Sequence, residues 1–250
     1  MFFVRIVIYD FKNKIMFGEY TYLIINLLTI SYPLAQSFEH RVKYYTKWKQ
    51  LLPSIMITGV LFIVWDILKT EAGVWSFNDE FIIGIYFINL PLEEMLFFVT
   101  VPYSCVFIYE VLNYYLKKDY LVNYARVILF ILGILILTIA LINYDKTYTF
   151  VMFSLQGIYL LMITLFIKPD WLGRFLMTYF VTLLPFSIVN GFLTGLPVVE
   201  YNMAENLGIR IGTIPVEDSI YSMMLLMMNI HIYEYFRKRK SKKMIEFTSF

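Results

Sequence analysis

Apolar residues in this chain come in long unbroken runs, not in the one-face-in, one-face-out pattern of soluble helices and strands. A helix needs about 20 such residues to cross the hydrocarbon core of a bilayer. Seven stretches qualify or nearly do: residues 20–38, 51–68, 91–115, 124–143, 148–167, 172–191 and 213–236. Short polar or aromatic breaks separate them. The pattern predicts an all-α integral membrane protein with about seven transmembrane helices.

Composition agrees. Hydrophobic residues make up 60% of the 250 and charged residues 16%, against about 45–50% and about 25% in soluble domains. A net charge of +2 argues against a nucleic-acid partner. The placement of charge says more than its sum. Fifteen of the 21 Lys and Arg residues fall in the loops after the first, third and fifth stretches and in the tail after the seventh. By the positive-inside tendency, the N-terminus lies outside and the C-terminus in the cytoplasm, as in a multi-pass protein of a bacterial inner membrane. Residues 1–19 form an N-terminal extension without the small-residue cleavage site of a signal peptide, and Met16 is a candidate start.

Shifted by 124 residues, the chain matches itself without a gap between positions 66 and 110. Pro91, Glu93 and Glu94 fall on Pro215, Glu217 and Asp218. Asn78 falls on Asn202, Gly84-Ile85 on Gly208-Ile209, Ile108-Tyr109-Glu110 on Ile232-Tyr233-Glu234, and Asp66 on Asn190. The expected organisation is a first three-span repeat over 20–115, a linker with the fourth span over 116–147, a second repeat over 148–236 and a basic tail over 237–250. A single linker span makes the repeats parallel. Sites in such proteins commonly lie at the repeat interface.

The third stretch opens with L-P-L-E-E and the seventh with I-P-V-E-D. Proline suits the first turn of a helix, and Asn89 and Thr213 stand near the capping position. Each acidic pair is therefore expected in a first helical turn at one membrane face, with Asp66 and Asn190 ending the preceding spans at the same depth. Acids at helix N-termini are common, since they complement the helix dipole. Duplication, and the apolar run that follows each pair, favour a functional reading. Glu110 and Glu234 sit beside basic residues at the other end and read as structural.

Aromatic residues are 19% of the chain, most of them packing or interface residues. Trp65, Trp75, Phe77, Tyr86, Phe97, Phe98, Tyr201 and Tyr221 lie near the acids in sequence. Their π faces suit a cationic intermediate. The loop 199–212 is polar for its setting; Asn202, Glu205, Asn206 and Arg210 are placed to close the outer end of a cavity. Arg210 reads equally as a partner for an acid and as a snorkelling interface residue. Cys105 lies in an apolar run, as a core residue does. His40 and His231 have no partner at zinc-ligand spacing. No glycine-rich nucleotide motif occurs, so no cofactor is expected.

The chain resembles the membrane lycopene cyclases of the small heterodimeric type, here with both halves in one chain, and the cyclase half of fungal fused cyclase–phytoene synthases. The resemblance spans residues 20–236 and rests on N-L-P-L-E-E-M-L-F-F at 89–98, N-L-G-I-R-I-G-T-I-P-V-E-D at 206–218 and W-D at 65–66. It implies Glu93, Glu94, Glu217 and Asp218 as catalytic groups. Asp66, Asn190, Trp65, Asn202 and Arg210, placed near them by the repeat and the polar loop, are expected in support. The implied reaction is redox-neutral. An acid protonates the terminal double bond of lycopene or another linear carotenoid, the cation closes a six-membered ring, most simply β, and a base removes a proton. The partners implied are that substrate and the lipid bilayer; a homodimer, or contact with other carotenoid-pathway enzymes, stays open.

A glutamic acid in water ionises near pH 4.3, so a proton donor at neutral pH must be kept in its acid form by burial and a neighbouring carboxylate. One acid of each pair is expected to donate while its neighbour stays ionised. Neighbours on a helix point about 100° apart, so one member of each pair faces the substrate; Glu93 and Glu217 are expected there. A transporter or proton channel would also use buried acids, with more broken spans than occur here. A carotenoid-binding protein would need the aromatics but not the paired acids.

Overall fold

Residues 18–248 are described by a computed structural model, with side chains up to Lys240. The expectations for residues 1–17, for Met16 as a start and for the side chains of Lys242 and Lys243 lie outside the described residues. Among the described residues seven α-helices follow one another: α1 Thr21–Gln36, α2 Trp48–Glu71, α3 Leu92–Tyr115, α4 Val122–Ile142, α5 Thr147–Met162, α6 Leu172–Gly195 and α7 Val216–Thr248. A π-helical turn, Ile163–Ile167, extends α5. Helices α2 to α6 are each long and apolar enough to cross a membrane, counting the π turn with α5. The two others fall short for physical reasons. Helix α1 has only 16 residues, and the apolar run of α7 is broken by Asn229, His231 and Glu234.

Hydropathy gave no hint of six short strands between the helices. They are β1 Trp75–Phe77, β2 Tyr86–Phe87, β3 Leu90–Pro91, β4 Val199–Tyr201, β5 Arg210–Ile211 and β6 Ile214–Pro215. Strands β2–β3 and β5–β6 are tight hairpins, each running straight into a helix, α3 or α7. Strands β1 and β4 pair antiparallel, with Ser76 opposite Glu200. Each of β1, β2 and β3 lies 124 residues before β4, β5 and β6 respectively, and α2 starts 124 before α6. Strand β1 thus pairs with its own counterpart. Ser76 and Glu200 are counterparts too, so a local two-fold axis runs between them.

The helices obey the same axis. Helix α2 packs on α7 while α6 packs on α3, and α1 lies on α3 as α5 lies on α7. Helix α4 stands outside this scheme and packs on α5 and α6. Its inner stripe is Ala125, Leu129, Gly133, Ile136 and Ala140, all buried at helical spacing. Small residues let membrane helices approach closely. A Cβ at Gly157 on α5 would sit 2.5 Å from Leu137 Cγ and 3.0 Å from the Gly133 carbonyl oxygen. Gly157→Leu is therefore expected to cost about 1–3 kcal/mol through overpacking, read as a lower unfolding temperature in detergent.

The end opposite the ribbons carries the basic loops. Glu110 pairs with Lys47 at 3.2 Å and with Arg237 at 3.6 Å, and Glu234 pairs with Arg237 at 2.8 Å. Tyr109 Oη donates to Glu234 at 2.7 Å. Arg174 donates to the Leu112 and Leu116 carbonyls, at 3.0 and 2.6 Å, and so caps the C-terminal end of α3. Charges at this end tie helices together as well as marking a membrane face.

Candidate active site

The hairpins deliver the acids. Pro91 closes β3 with φ −66° and ψ 151°, and α3 begins at the next residue. Proline thus stands one position ahead of the first helical turn, not inside it. The Leu92 amide donates to the Ile85 carbonyl at 2.8 Å, and the Val216 amide to Ile209 at 3.0 Å. Asn89 and Thr213 do not cap these helices. Asn89 Nδ2 donates to the Ile67 carbonyl of α2 at 3.0 Å, and Thr213 Oγ1 meets Thr194 Oγ1 of α6 at 2.7 Å. Each hairpin is tied to the helix before it, which sets where the acids of the next helix arrive.

Within each acidic pair the two members point different ways, and the assignment differs from the one expected. Glu93 and Glu217 turn back into their own loops. Glu93 Oε1 accepts from the Ile83 amide at 2.8 Å, and Glu217 Oε1 from the Leu207 amide at 2.7 Å and from Thr149 Oγ1 at 2.6 Å. Both are fully buried, and neither borders the central cavity. The Glu94 and Asp218 side chains are the ones that border it. A rotation of about 100° per residue allows one member per pair to face inward; which one follows from the loop amides, which capture the first. Glutamine keeps the accepting oxygen. Glu93→Gln is therefore expected to shift stability by less than about 1 kcal/mol and to leave activity near the wild-type level, compared by thermal melting and product yield.

The cavity, about 70 Å³, lies between the two repeats, next to the β1–β4 ribbon. Four carboxyl or amide side chains face it: Asp66, Glu94, Asn190 and Asp218. Four tyrosines hold them. Tyr22 Oη donates to Glu94 Oε2 at 2.6 Å, and Tyr221 Oη to Asp66 Oδ1 at 2.8 Å. Tyr148 Oη donates to Asp218 Oδ1 at 2.7 Å, and Tyr201 Oη to Asp218 Oδ2 at 2.8 Å. The carboxyls of Asp66 and Glu94 face the same cavity. Their counterparts are joined directly, Asn190 Nδ2 donating to Asp218 Oδ2 at 2.8 Å. The chemistry of the two halves differs. The first half sets two carboxyls at the cavity, whereas the second sets an amide beside a carboxyl, and Asp218 accepts from three donors.

Aromatic rings wall the rest. Trp75 stands edge-on to Tyr148 and Tyr201, with centroids 5.2 and 6.1 Å away, and Tyr148 and Tyr201 stack at 6.0 Å. Phe77, Phe97 and Phe186 complete the wall. Beyond it lies an apolar groove of about 450 Å³ between α1, α3, α6 and α7, which Cys105 also lines. Cavity and groove share Phe97, Val101, Phe186, Asn190, Ser222 and Leu225.

The remaining expected residues lie outside the cavity. Trp65 is half-buried beneath Lys69, whose Nζ is 4.9 Å from the ring centroid. Asn202 donates to the Gly73 carbonyl at 3.2 Å and pins the loop beside the ribbon. Arg210 contacts no acid; it is exposed, bonds the Thr213 carbonyl and stands 6.0 Å over the Tyr201 ring. Loop 199–212 reaches the cavity through Val199 and Tyr201. Tyr86 and Phe98 do not border it. Tyr22 and Tyr148 do, and the sequence reading passed over both. They lie 126 residues apart, not 124, so a gapless comparison misses them. A two-residue slip would have aligned them as the tyrosines that start α1 and α5.

A family model described as "Lycopene cyclase" matches residues 19–112 and 145–236, that is, both repeats without the linker. The chain belongs to the lycopene cyclase family. Among curated relatives, a "Bifunctional lycopene cyclase/phytoene synthase" of Leptosphaeria maculans is 37% identical over 59 residues, 24% of this chain and 10% of the relative. A protein of the same description from Phaeosphaeria nodorum is 31% identical over 62 residues, 25% of this chain and 10% of the relative. The match thus covers about a tenth of either relative's length. No solved structure matches the chain. Both family-matched segments contain a P-x-E-acid block, so the carboxyl cage is built wholly from residues that the family model covers.

Proposed function

We propose that this family member is an isomerase that closes the linear ends of lycopene, or a related carotenoid, into ionone rings of the β type. The observation that carries the reading is the cage itself: two carboxyls, Asp66 and Glu94, and an accepting carboxylate, Asp218, around one aromatic-walled cavity that adjoins an apolar groove. Glu94 gives its proton to the terminal double bond of the substrate. The electron pair of that bond forms the new C–H bond and leaves a tertiary cation, which the next double bond attacks to close the ring. Trp75 and the stacked tyrosines stabilise the positive charge through their π faces, an effect of about 0.5–2 kcal/mol per ring. Asp218 takes up the proton lost as the ring double bond forms. One proton enters and one leaves, so mass and oxidation state are unchanged. Tyr22 and Asn190 position the acid and the base. Glu93 and Glu217 hold the loops that fix the helix starts.

The proposed organisation keeps repeats over 20–115 and 148–236 joined through α4. The charge distribution supports an outside N-terminus and a cytoplasmic C-terminus in a bacterial inner membrane, which sets the acids near the outer face. The test is expression in bacterial cells that accumulate lycopene, with pigments resolved by chromatography and mass detection. A monocyclic or bicyclic product of unchanged mass is expected. Untouched lycopene, with the protein present in the membrane, would refute the reading.

A further inference from the structure

The two repeats do not give equal access to the acids. We propose that a linear polyene reaches the cage only through the groove between α1, α3, α6 and α7, and that Ser222 sets the bore of this passage while its counterpart, Phe98, seals the other side. The inference rests on the proposed substrate class and adds the route by which it arrives.

The two-fold relation supplies an internal comparison. Where groove and cavity join, the passage is bordered by Phe97, Phe186 and Ser222. The residues 124 positions away are Tyr221, Phe62 and Phe98. These form a closed cluster. The Phe62 ring stands edge-on to Tyr221 at 5.1 Å and tilted against Phe98 at 5.9 Å. Phe98 is 0% exposed, and Tyr221 is held in place by its bond to Asp66. A second groove, about 350 Å³, does exist on that side, lined by Tyr159, Met224, Met228 and His231 among others. Its Met228 and His231 are the counterparts of Ser104 and Phe107 in the first groove. Yet it shares no lining residue with the acid cavity, whereas the first groove shares six. On that side a benzyl group, Phe98, stands where the first has the hydroxymethyl of Ser222.

The first groove also meets the lipid. Leu28 and Tyr32 of α1 and Ile188 of α6 line it and are more than half exposed. Three helical prolines, Pro33, Pro102 and Pro185, border it. Each removes a backbone hydrogen bond and loosens the packing of its turn against neighbours. An apolar chain dissolved in the bilayer can therefore slide in end first, without crossing water.

The test compares Ser222→Phe and Ser222→Ala with the wild type. The first places in α7 the ring that α3 already carries at the equivalent position, so the helix tolerates it. Two readouts are taken on folded protein in detergent: ring formation, and quenching by added lycopene of tryptophan fluorescence in a background with Trp48, Trp65 and Trp171 replaced by Phe, so that Trp75 alone reports. Ser222→Phe is expected to lower ring formation by about 10²-fold or more and to abolish quenching, while Ser222→Ala keeps both. Wild-type turnover and quenching in a folded Ser222→Phe variant would overturn the passage and leave the cyclase reading standing. A wild type that is quenched but forms no ring, with quenching lost in Ser222→Phe, would overturn the cyclase reading and leave the passage. A wild type that is neither quenched nor active would overturn both.

Discussion

Glu94→Gln is expected to lower ring closure by about 10²–10⁴-fold, the usual contribution of a general acid. Glutamine matches glutamic acid in shape and still accepts the Tyr22 hydroxyl, now 2.6 Å from Oε2. What it lacks is a proton that can leave. The fold should survive, because the α3 start is held by the Leu92 amide and by Glu93, not by Glu94. Pigment yield per unit of membrane protein, with a thermal melt as a control for folding, measures the effect. Wild-type yield from a folded Glu94→Gln variant would remove Glu94 from the role of donor. The same change at Glu93 serves as the neighbouring control, since that side chain binds a loop amide outside the cavity.

Asp66→Asn should reduce activity by about 10²-fold with little change in stability. The second repeat already contains the variant geometry: Asn190 occupies the equivalent place on α6 and donates to Asp218 at 2.8 Å. An amide at position 66 would donate to Glu94 in the same way and make Glu94 purely an acceptor. The pair would then lose one of the two carboxyls that hold the proton in the proposed reaction. The accompanying loss is small, because Tyr221 Oη can donate to the amide oxygen as it does to Asp66 Oδ1 at 2.8 Å. Activity and melting temperature are measured on the same preparation. If both fall together, Asp66 acts through the fold; if only activity falls, it acts through the proton.

Most of the helical frame is legible in the sequence, because crossing a bilayer leaves a helix little freedom in length or composition. The seven runs expected from hydropathy correspond to the seven helices, with ends shifted by up to four residues when the π turn is counted with α5, except that α7 runs on to Thr248, twelve past the expected end. The duplicated P-x-E-acid block marks the end of the bundle at which the candidate cavity lies. Less legible are the features decided by short polar contacts. The ribbons are two or three residues long, too short to leave a period. Which acid faces inward depends on the Ile83 and Leu207 amides, and nothing in the residue types of Glu93 and Glu94 announces that. Tyr22 and Tyr148 were hidden by a two-residue difference in spacing between the repeats. Trp65 and Arg210, placed near the acids by the sequence, are directed elsewhere by Lys69 and Thr213.

The ribbon of β1 and β4 puts Ser76 opposite Glu200, each the other's image. A shorter chain with one repeat could build the same ribbon only by pairing with a second copy of itself, and every substitution in it would then appear twice. Joining the copies lifts that restriction. One repeat can carry Asp66 where the other carries Asn190, and Ser222 can stand where its twin has Phe98. Duplication and fusion thus turn a symmetric vessel into one with a front and a back, where donor and acceptor, doorway and wall, evolve as separate parts.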